Sequence, residues 1–317
     1  MTVQRYSRNE MQAIIGNILK RDVILLPIGN HELRRHLVYK VKTDEGDFVF
    51  KYYYQDTYGG REISTLKLLE NTHIKHAKLI DSGTFGQDRE WLMMELLDGM
   101  PMDKIMKCLP EAELLEIYTD MGRELAKIHE LKAFDHFGSL DGDGKHIQAY
   151  DNFKDAFIQS NNYCFEKVRA SNLDAKDYLM HAIKIVSNNL DLLDHVTEAR
   201  MTHFDYSPRN IFIGKSNGKR YLKAVLDFEL CRPWDKNYDF IHLMLRDFPD
   251  NAKLESAFFK GYKEFSHIDP SFHKTVDLYM LTLCINVCSW AEDIAPDYYK
   301  MAYNKLIKLI SESKNLK

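Results

Sequence analysis

The 317-residue sequence lacks any apolar run of about 18 residues, and so predicts no membrane-spanning helix. Its first residues, MTVQRYSRNEMQ, lack the apolar core of a signal peptide. It also has no internal repeat and no low-complexity segment. The net charge is only −4, which gives no reason to expect nucleic acid or an anionic membrane as a partner. We therefore expect a globular cytoplasmic protein.

Cysteines are few and scattered along the chain. There are five, an odd number, which suits reduced thiols in the cytosol better than a disulfide framework. Cys284 and Cys288 lie four positions apart on a predicted helix and could share one face. A zinc site would need more ligands close by, so packing in the core is favoured over a metal role.

The first 97 residues are rich in strand patterns. HLVYKVKTDEGDFVFKYYY predicts two strands around a DEGD turn, and AKLIDSGTFGQDREWLMMELLDG predicts two more. Between them, REISTLKLLENT predicts a helix with Ile63, Leu66 and Leu69 at a spacing of three. We expect an antiparallel sheet with one helix over residues 1–97.

Residues 98–317 are mainly helical in pattern. An amphipathic helix is predicted for PEAELLEIYTDMGRELAKIHEL, whose apolar residues fall on one face. Further helices are predicted at about 151–169, at about 174–195 and from about 237 onward. KRYLKAVLDFEL predicts a strand between them. The predicted fold is α+β, with a small antiparallel β-rich N-terminal lobe and a larger helical C-terminal lobe.

The stretch HFDYSPRNIF places His203, Asp205 and Asn210 in one short window. Two strands joined by the turn GKSNGKR would bring Asn210 next to Asp227 of VLDFE. A carboxylate and an amide oxygen side by side are ligands that suit Mg²⁺ together with phosphate oxygens. Asp205 would then be free to orient a hydroxyl and to accept its proton. The alternative for Asp205 is a plain turn or cap residue.

A second group of candidates lies in the N-terminal part. Lys51 ends the strand DFVFK and could hold phosphate oxygens, although it could also be a solvated edge-strand lysine. Glu62 opens the following helix and could keep that lysine in place, with Glu70 of the same helix as the alternative. Gly29 lies in a turn between two strands, where the backbone could approach phosphates closely.

These parts, in this order, resemble the protein-kinase-like fold, and within it the aminoglycoside phosphotransferase and choline kinase group. The signature is His203-x-Asp205 with Asn210, followed by Asp227 and Glu229 on a strand end. WLMMELLDGMPM is similar to the hinge between lobes, and DKNYDFIHL is similar to the element that follows the metal strand.

The resemblance implies an ATP- and Mg²⁺-dependent kinase, with GTP as an alternative to ATP. Adenine would lie against the hinge at Glu95 to Leu97. His203 would hold the catalytic loop by hydrogen bonds rather than act as a base. The sequence departs from the pattern in two places. It lacks the protein-kinase pattern G-x-G-x-x-G, with only Gly29 directly before NHELRRH, and Phe204 replaces a small residue that is frequent between the His and Asp of the aminoglycoside phosphotransferase group.

A small molecule is the favoured phosphoryl acceptor. Glu229 replaces the glycine of D-F-G and no A-P-E follows, so the long activation segment with which protein kinases hold a peptide is missing. Trp290, Glu292 and Asp293 are candidate acceptor contacts, and their acidic and aromatic character would suit a cationic acceptor such as an aminoglycoside or choline. Equally, they could form a solvated helix end.

Two other functions remain as alternatives. One is a kinase-fold binding or structural module without turnover, against which the complete set of catalytic residue types argues. The other is a protein kinase. The identity of the acceptor, which could also be a sugar or another antibiotic, and the oligomeric state are left open by the sequence.

Overall fold

The N-terminal strands form one antiparallel sheet of five strands. A computed structural model describes residues 6–29, 36–55, 57–86, 89–270 and 272–312, without the side chain of residue 274. The strands of this sheet are Ile24–Ile28 (β1), His36–Thr43 (β2), Gly46–Tyr53 (β3), Leu79–Phe85 (β4) and Arg89–Glu95 (β5). Their order is β1-β2-β3-β5-β4, so both predicted strand pairs are confirmed as hairpins.

The register of this sheet gives each face a different character. The core face carries alternate apolar side chains of the strands, such as Phe50 and Trp91, whose rings stack at 5.3 Å. Met11 and Ile15 of a first helix, Arg8–Leu19 (α1), pack into the same core. The opposite face carries Lys51, because side chains alternate along a strand.

Helix α1 was not predicted from the sequence, although its start has a recognisable signal. Ser7 accepts a hydrogen bond from the backbone N–H of Glu10, and the Glu10 carboxylate accepts one from the backbone N–H of Ser7. This reciprocal capping satisfies two backbone donors that the first turn of a helix otherwise leaves unpaired.

The predicted helix after β3 is confirmed and starts earlier than expected, as Tyr58–Leu69 (α2). Its apolar positions Ile63, Leu66 and Leu69 are buried. In its additional first turn, the glycine at position 59 leaves room for Glu90, which a β-carbon there would meet at 2.5 Å.

The remaining elements include most of the helices. The later strands are Met100–Pro101 (β6), Ala133–Phe134 (β7), Phe137–Leu140 (β8), His146–Tyr150 (β9), Ala199–Thr202 (β10), Ile211–Ser216 (β11), Lys219–Val225 (β12) and Arg232–Trp234 (β13). The later helices are Glu111–His129 (α3), Phe153–Ala170 (α4), Lys176–Asn188 (α5), Phe240–Arg246 (α6), Ala252–Tyr262 (α7), Phe272–Cys288 (α8) and Pro296–Glu312 (α9). The predicted α+β class, β-rich at the start and helical afterwards, is confirmed.

Contacts between residues divide the chain into two compact units. The first contains residues 1–107, 140–147 and 209–231, and the second contains residues 108–139, 148–208 and 232–317. The domain ranges 1–97 and 98–317 stay a prediction. The first compact unit goes beyond the predicted N-terminal range, since it also includes the hairpin of β11 and β12.

The second unit is built on closely packed helices. Helices α3 and α7 approach each other closely at Gly122 and Gly261. A β-carbon on Gly122 would lie 2.0 Å from the carbonyl oxygen of Phe258. Helices α4, α5, α8 and α9 enclose a second core, which contains Cys284 and Cys288 as free thiols. The favoured prediction of core packing for these two cysteines is confirmed. Within the described ranges, no helix has both the length and the hydropathy needed to cross a bilayer.

Candidate active site

The ammonium group of Lys51 is the centre of an ionic cluster in the first unit. Its Nζ lies 2.7 Å from Oε2 of Glu62, 2.7 Å from Oδ1 of Asp227 and 3.1 Å from Oε2 of Glu229. Strand β3 supplies the lysine, α2 supplies Glu62, and the residues after β12 supply the other two carboxylates. Lys51 is only 4% exposed, so it is not a solvated edge-strand lysine.

The charges of this cluster depend on one another. Burial disfavours the charged form of Lys51, but the carboxylates of Asp227, Glu229 and Glu62 outweigh it and raise the pKa of Lys51 well above its ordinary value. Burial raises the pKa of Glu62, and the Lys51 ammonium opposes that change. The lysine therefore stays protonated, because the buried carboxylates need its charge.

Glu62, and not Glu70, is the helix glutamate that contacts Lys51. Glu62 is buried and also accepts a hydrogen bond from the hydroxyl of Tyr53, whereas Glu70 is exposed at the end of α2. Two donors on the Glu62 carboxylate fix its orientation, which in turn fixes the ammonium of Lys51.

The hairpin of β11 and β12 brings Asn210 next to the residue before Asp227, while the pairing of the two side chains stays a prediction. Ile211 lies opposite Val225, and the backbone N–H of Leu226 donates to the carbonyl of Asn210 at 2.8 Å. Asp227 itself adopts a left-handed conformation, with φ of 66°. This backbone conformation is costly for a residue other than glycine, and such strain is often found at functional sites.

The oxygens near Asp227 suit a hard divalent cation, which prefers carboxylate and amide ligands. Asn210 is buried, and the Asp227 side chain is 26% exposed, so an Asp227 oxygen can be reached from solvent. The metal role of these two residues stays a prediction. Among the described residues, Glu62, Asp227 and Glu229 also bring one carboxylate oxygen each within 4.8 Å of one another. The Lys51 ammonium contacts all three of these carboxylates, so in this structure they form ion pairs with the lysine.

Asp205 lies in the second unit, on a loop that Asp239 holds in place. The carboxylate of Asp239 accepts hydrogen bonds from the backbone N–H of His203 at 2.7 Å and of Phe204 at 2.6 Å. The backbone N–H of Asp205 donates to Nδ1 of His203 at 3.3 Å, which matches the loop-holding role predicted for this histidine. Asp205 is 5% exposed.

A fully buried histidine fixes Asp239 in turn. Nε2 of His129 lies 3.0 Å from Oδ2 of Asp239, and its Nδ1 lies 2.8 Å from the hydroxyl of Tyr262. Burial lowers the pKa of His129, although Asp239 opposes that change. In the neutral ring Nε2–H donates to Asp239, and Nδ1 accepts from Tyr262.

The bulky Phe204 side chain packs among other aromatic side chains. It has a φ of 69°, and its ring stacks on Tyr238 with ring centroids 4.5 Å apart. The guanidinium of Arg232 lies 4.1 Å from the centre of the Phe204 ring. Phe204, directly before Asp205, is therefore held between Tyr238 and Arg232.

The sheet face that carries Lys51 also exposes apolar side chains. Ile28 pairs with Val38, and Val38 pairs with Lys51, so the three share one face. On the same face of β1, Ile24 is 58% exposed and Leu26 is 38% exposed. These apolar residues were not predicted as site residues, although their alternation with core positions is visible in the sequence.

The other predicted nucleotide contacts lie at or just beyond the ends of strands β1 and β5 of this sheet. Gly29 follows β1 with a φ of 74°, a conformation that favours glycine. The neighbouring residues 30–35 lie outside the described residues. Glu95 ends β5 and exchanges hydrogen bonds with Lys78, and Leu97 is half-buried just beyond. Their contacts with a nucleotide stay predictions.

The predicted acceptor residues lie between α8 and α9. Trp290 is exposed and lies 6.4 Å from the ring of Tyr298, Glu292 is half-buried, and Asp293 is exposed. Tyr298 in turn raises the pKa of Tyr238, although burial makes the largest contribution. Tyr238 in turn stacks on Phe204, next to Asp205. The acceptor role of Trp290, Glu292 and Asp293 stays a prediction.

His36 is a site residue that was not predicted. Its Nδ1 lies 2.7 Å from Oε2 of Glu229, the same oxygen that contacts Lys51. Nothing in the sequence near His36 marks it, because its position depends on the pairing of β2 with β3.

The sequence and the fold match known phosphotransferases. Residues 30–273 match the sequence model of the phosphotransferase enzyme family. No curated protein matches the sequence. Aminoglycoside phosphotransferase APH(4)-Ia has a similar structure, with a TM-score of 0.73 and 14% identity over 96% of this chain and 99% of that one.

Two structures with bound ligands are also similar. A thermostable mutant of APH(4)-Ia in a ternary complex with AMP-PNP and hygromycin B gives a TM-score of 0.72 and 14% identity, over 96% of this chain and 99% of that one. APH(2")-IIia in complex with GDP and kanamycin gives 0.67 and 15%, over 98% of this chain and 100% of that one. At these identities the similarity shows the fold alone.

The family match covers more than half of the chain, and the structures agree with it in fold. The resemblance read from the sequence motifs is thereby confirmed. The chain belongs to the phosphotransferase enzyme family.

Proposed function

We propose that this protein is a kinase that transfers the terminal phosphoryl group of ATP to a hydroxyl group of a small molecule. The observation that carries the proposal is the ion cluster in which Lys51 contacts Glu62 and Asp227 at 2.7 Å each. A buried lysine held by a helix glutamate is the phosphate-binding arrangement of kinases.

In this proposal each candidate site residue of the first unit has one role. Lys51 binds the α- and β-phosphates, and Glu62 orients it. Asn210 and Asp227 hold Mg²⁺, which when bound neutralises phosphate charge. The apolar face beside Lys51 takes the base, and Glu95 and Leu97 contact its edge. ATP is the proposed nucleotide, and GTP is tested beside it, because similar structures hold either an ATP analogue or GDP.

Asp205 is the proposed catalytic residue. Its carboxylate orients the acceptor hydroxyl and accepts its proton, while Asp239 and His203 fix the loop. Phosphoryl transfer requires little covalent chemistry from the protein, so positioning of this kind supplies most of the rate.

A small molecule is the proposed acceptor. The chain returns to regular helix at Phe240, soon after Asp227, which leaves little room for a peptide-binding segment. Trp290, Glu292 and Asp293 supply aromatic and acidic contacts for it, which would suit a cationic amino alcohol or aminoglycoside.

The test begins with thermal unfolding in the presence of Mg-ATP or Mg-GTP. It continues with ADP or GDP release over a panel of aminoglycosides, macrolides, choline, amino alcohols and sugars. We expect stabilisation by one nucleotide and acceptor-dependent release with at least one compound. Nucleotide binding without release over the panel would favour a module without turnover, and transfer only to proteins would favour a protein kinase.

Substitution of Asp205 tests the assignment of the catalytic residue. Asp205→Asn and Asp205→Ala should lower kcat by roughly 10²- to 10⁴-fold and leave nucleotide affinity nearly unchanged. The matched control is Asp135→Ala, since Asp135 is exposed in the same unit. Full activity in Asp205→Ala would remove Asp205 from this role.

A further inference from the structure

His36 and Lys51 contact the same carboxylate oxygen. Nδ1 of His36 lies 2.7 Å from Oε2 of Glu229, and Nζ of Lys51 lies 3.1 Å from it. Glu229 is 1% exposed, whereas the His36 side chain keeps 13% of its surface. Two nitrogen groups therefore meet at one anionic oxygen, and one of them is accessible from solvent.

The position of His36 follows from the sheet register. It is the first residue of β2 and lies opposite Tyr53, two positions beyond Lys51 on β3. Because side chains alternate, His36, Tyr53 and Lys51 share one face of the sheet. The ring of His36 also meets the ring of Tyr53 edge to face at 6.2 Å, which fixes its orientation.

Carboxylates outnumber the ammonium group around Lys51, so phosphate binding there requires a second hydrogen-bond donor. One ammonium contacts three carboxylates, those of Glu62, Asp227 and Glu229. Phosphate groups would add negative charge to a region that already has an excess of it. Kinases usually meet this need partly with backbone N–H groups of a glycine-rich loop, and this sequence has only Gly29 between β1 and β2.

We propose that His36 is a second phosphate-binding side chain beside Lys51, and that a phosphate oxygen of the nucleotide takes the place of the Glu229 oxygen between the two nitrogens. The inference rests on the proposed kinase function and adds a residue to its nucleotide site. An imidazole N–H would replace donors that the shortened glycine pattern does not supply.

Calorimetric titration with ATP, ADP and adenosine tests the proposal on the full chain in the presence of Mg²⁺. His36→Ala should weaken binding of ATP and ADP by on the order of tenfold, which a lost hydrogen bond to a charged group accounts for. It should leave adenosine binding within a factor of two. His36→Gln keeps an N–H donor and should recover most of the affinity for ATP. His73→Ala is the control, because His73 is exposed in the same unit.

Equal ATP affinity in the wild type and in His36→Ala would overturn the inference. An equal loss of affinity for ATP and for adenosine would also overturn it, because it would indicate that His36 acts through packing alone. If His36→Ala does not fold, His36→Phe takes its place, since it keeps a ring but has no N–H donor. A loss of ATP affinity with unchanged adenosine affinity in that variant supports the inference, and unchanged ATP affinity contradicts it. A wild-type protein that binds none of the three ligands would instead overturn the proposed kinase function.

Discussion

Lys51 and Asp227 lie 176 positions apart in the chain, and yet Nζ of the lysine donates a hydrogen bond to Oδ1 of the aspartate at 2.7 Å. Both belong to the same compact unit, because the hairpin of β11 and β12 is grouped with the N-terminal sheet. The proposed phosphate and metal ligands are thus connected directly, through one ion pair.

Loss of the Lys51 ammonium should destabilise the protein. Lys51→Met leaves the buried carboxylate of Glu62 without its cation, and breaking a buried ion pair in this way costs roughly 3–5 kcal/mol. Denaturant unfolding followed by circular dichroism measures the change. Lys40→Met is the control, since Lys40 pairs with Asp47 at the surface and such pairs contribute about 0–1 kcal/mol. Equal stability of the two variants would contradict the prediction.

Removal of the Asp239 carboxylate should affect both stability and turnover. Asp239→Ala leaves the backbone N–H groups of His203 and Phe204 without their acceptor, at a cost of about 1–3 kcal/mol for each buried group. Because the loop of Asp205 loses its support, we expect kcat to fall while the KM for the nucleotide changes little. Asp250→Ala, at an exposed position, is the control. A variant with full kcat would show that this support is dispensable.

The buried His129 should make stability depend on pH. Burial lowers its pKa in the folded state, so below about pH 6.5 the unfolded chain binds a proton that the folded chain does not. The free energy of unfolding should therefore be largest above that pH and fall as the pH decreases. Unfolding of the wild type and of His129→Gln at pH 7.5 and pH 5.5 measures this contribution. The same pH dependence in both proteins would disprove it.

The five cysteines should differ sharply in reactivity. Cys108 is exposed, whereas the other four are buried, and burial raises the pKa of Cys288 to about 12. Since the thiolate is the reactive form, a thiol reagent at pH 8 should modify one cysteine quickly in the native protein and five after denaturation. Cys108→Ser should remove the fast reaction. Fast modification of two or more thiols in the native protein would contradict this packing.

Local patterns were sufficient to predict much of the fold. The hairpins of the first sheet follow from alternation around turns, and α2 and α3 follow from apolar residues on one helical face, because both patterns depend on neighbours in the chain. Helix α1 was missed although its S-x-x-E start is visible. The same reasoning predicted that Asn210 and the end of β12 would meet, since one short hairpin joins them.

The contacts of His36, Glu229 and Asp239 could not be predicted in this way. His36 reaches Glu229 only because β2 pairs with β3 in one register and the residues after β12 pack against α2. Asp239 reaches the amides before Asp205 from 35 positions away. The sequence by itself determined which elements form and which chemistry their residues offer, because both are local properties. Only the tertiary structure decided which carboxylate each donor meets, because distant segments come together through packing, which no local pattern records.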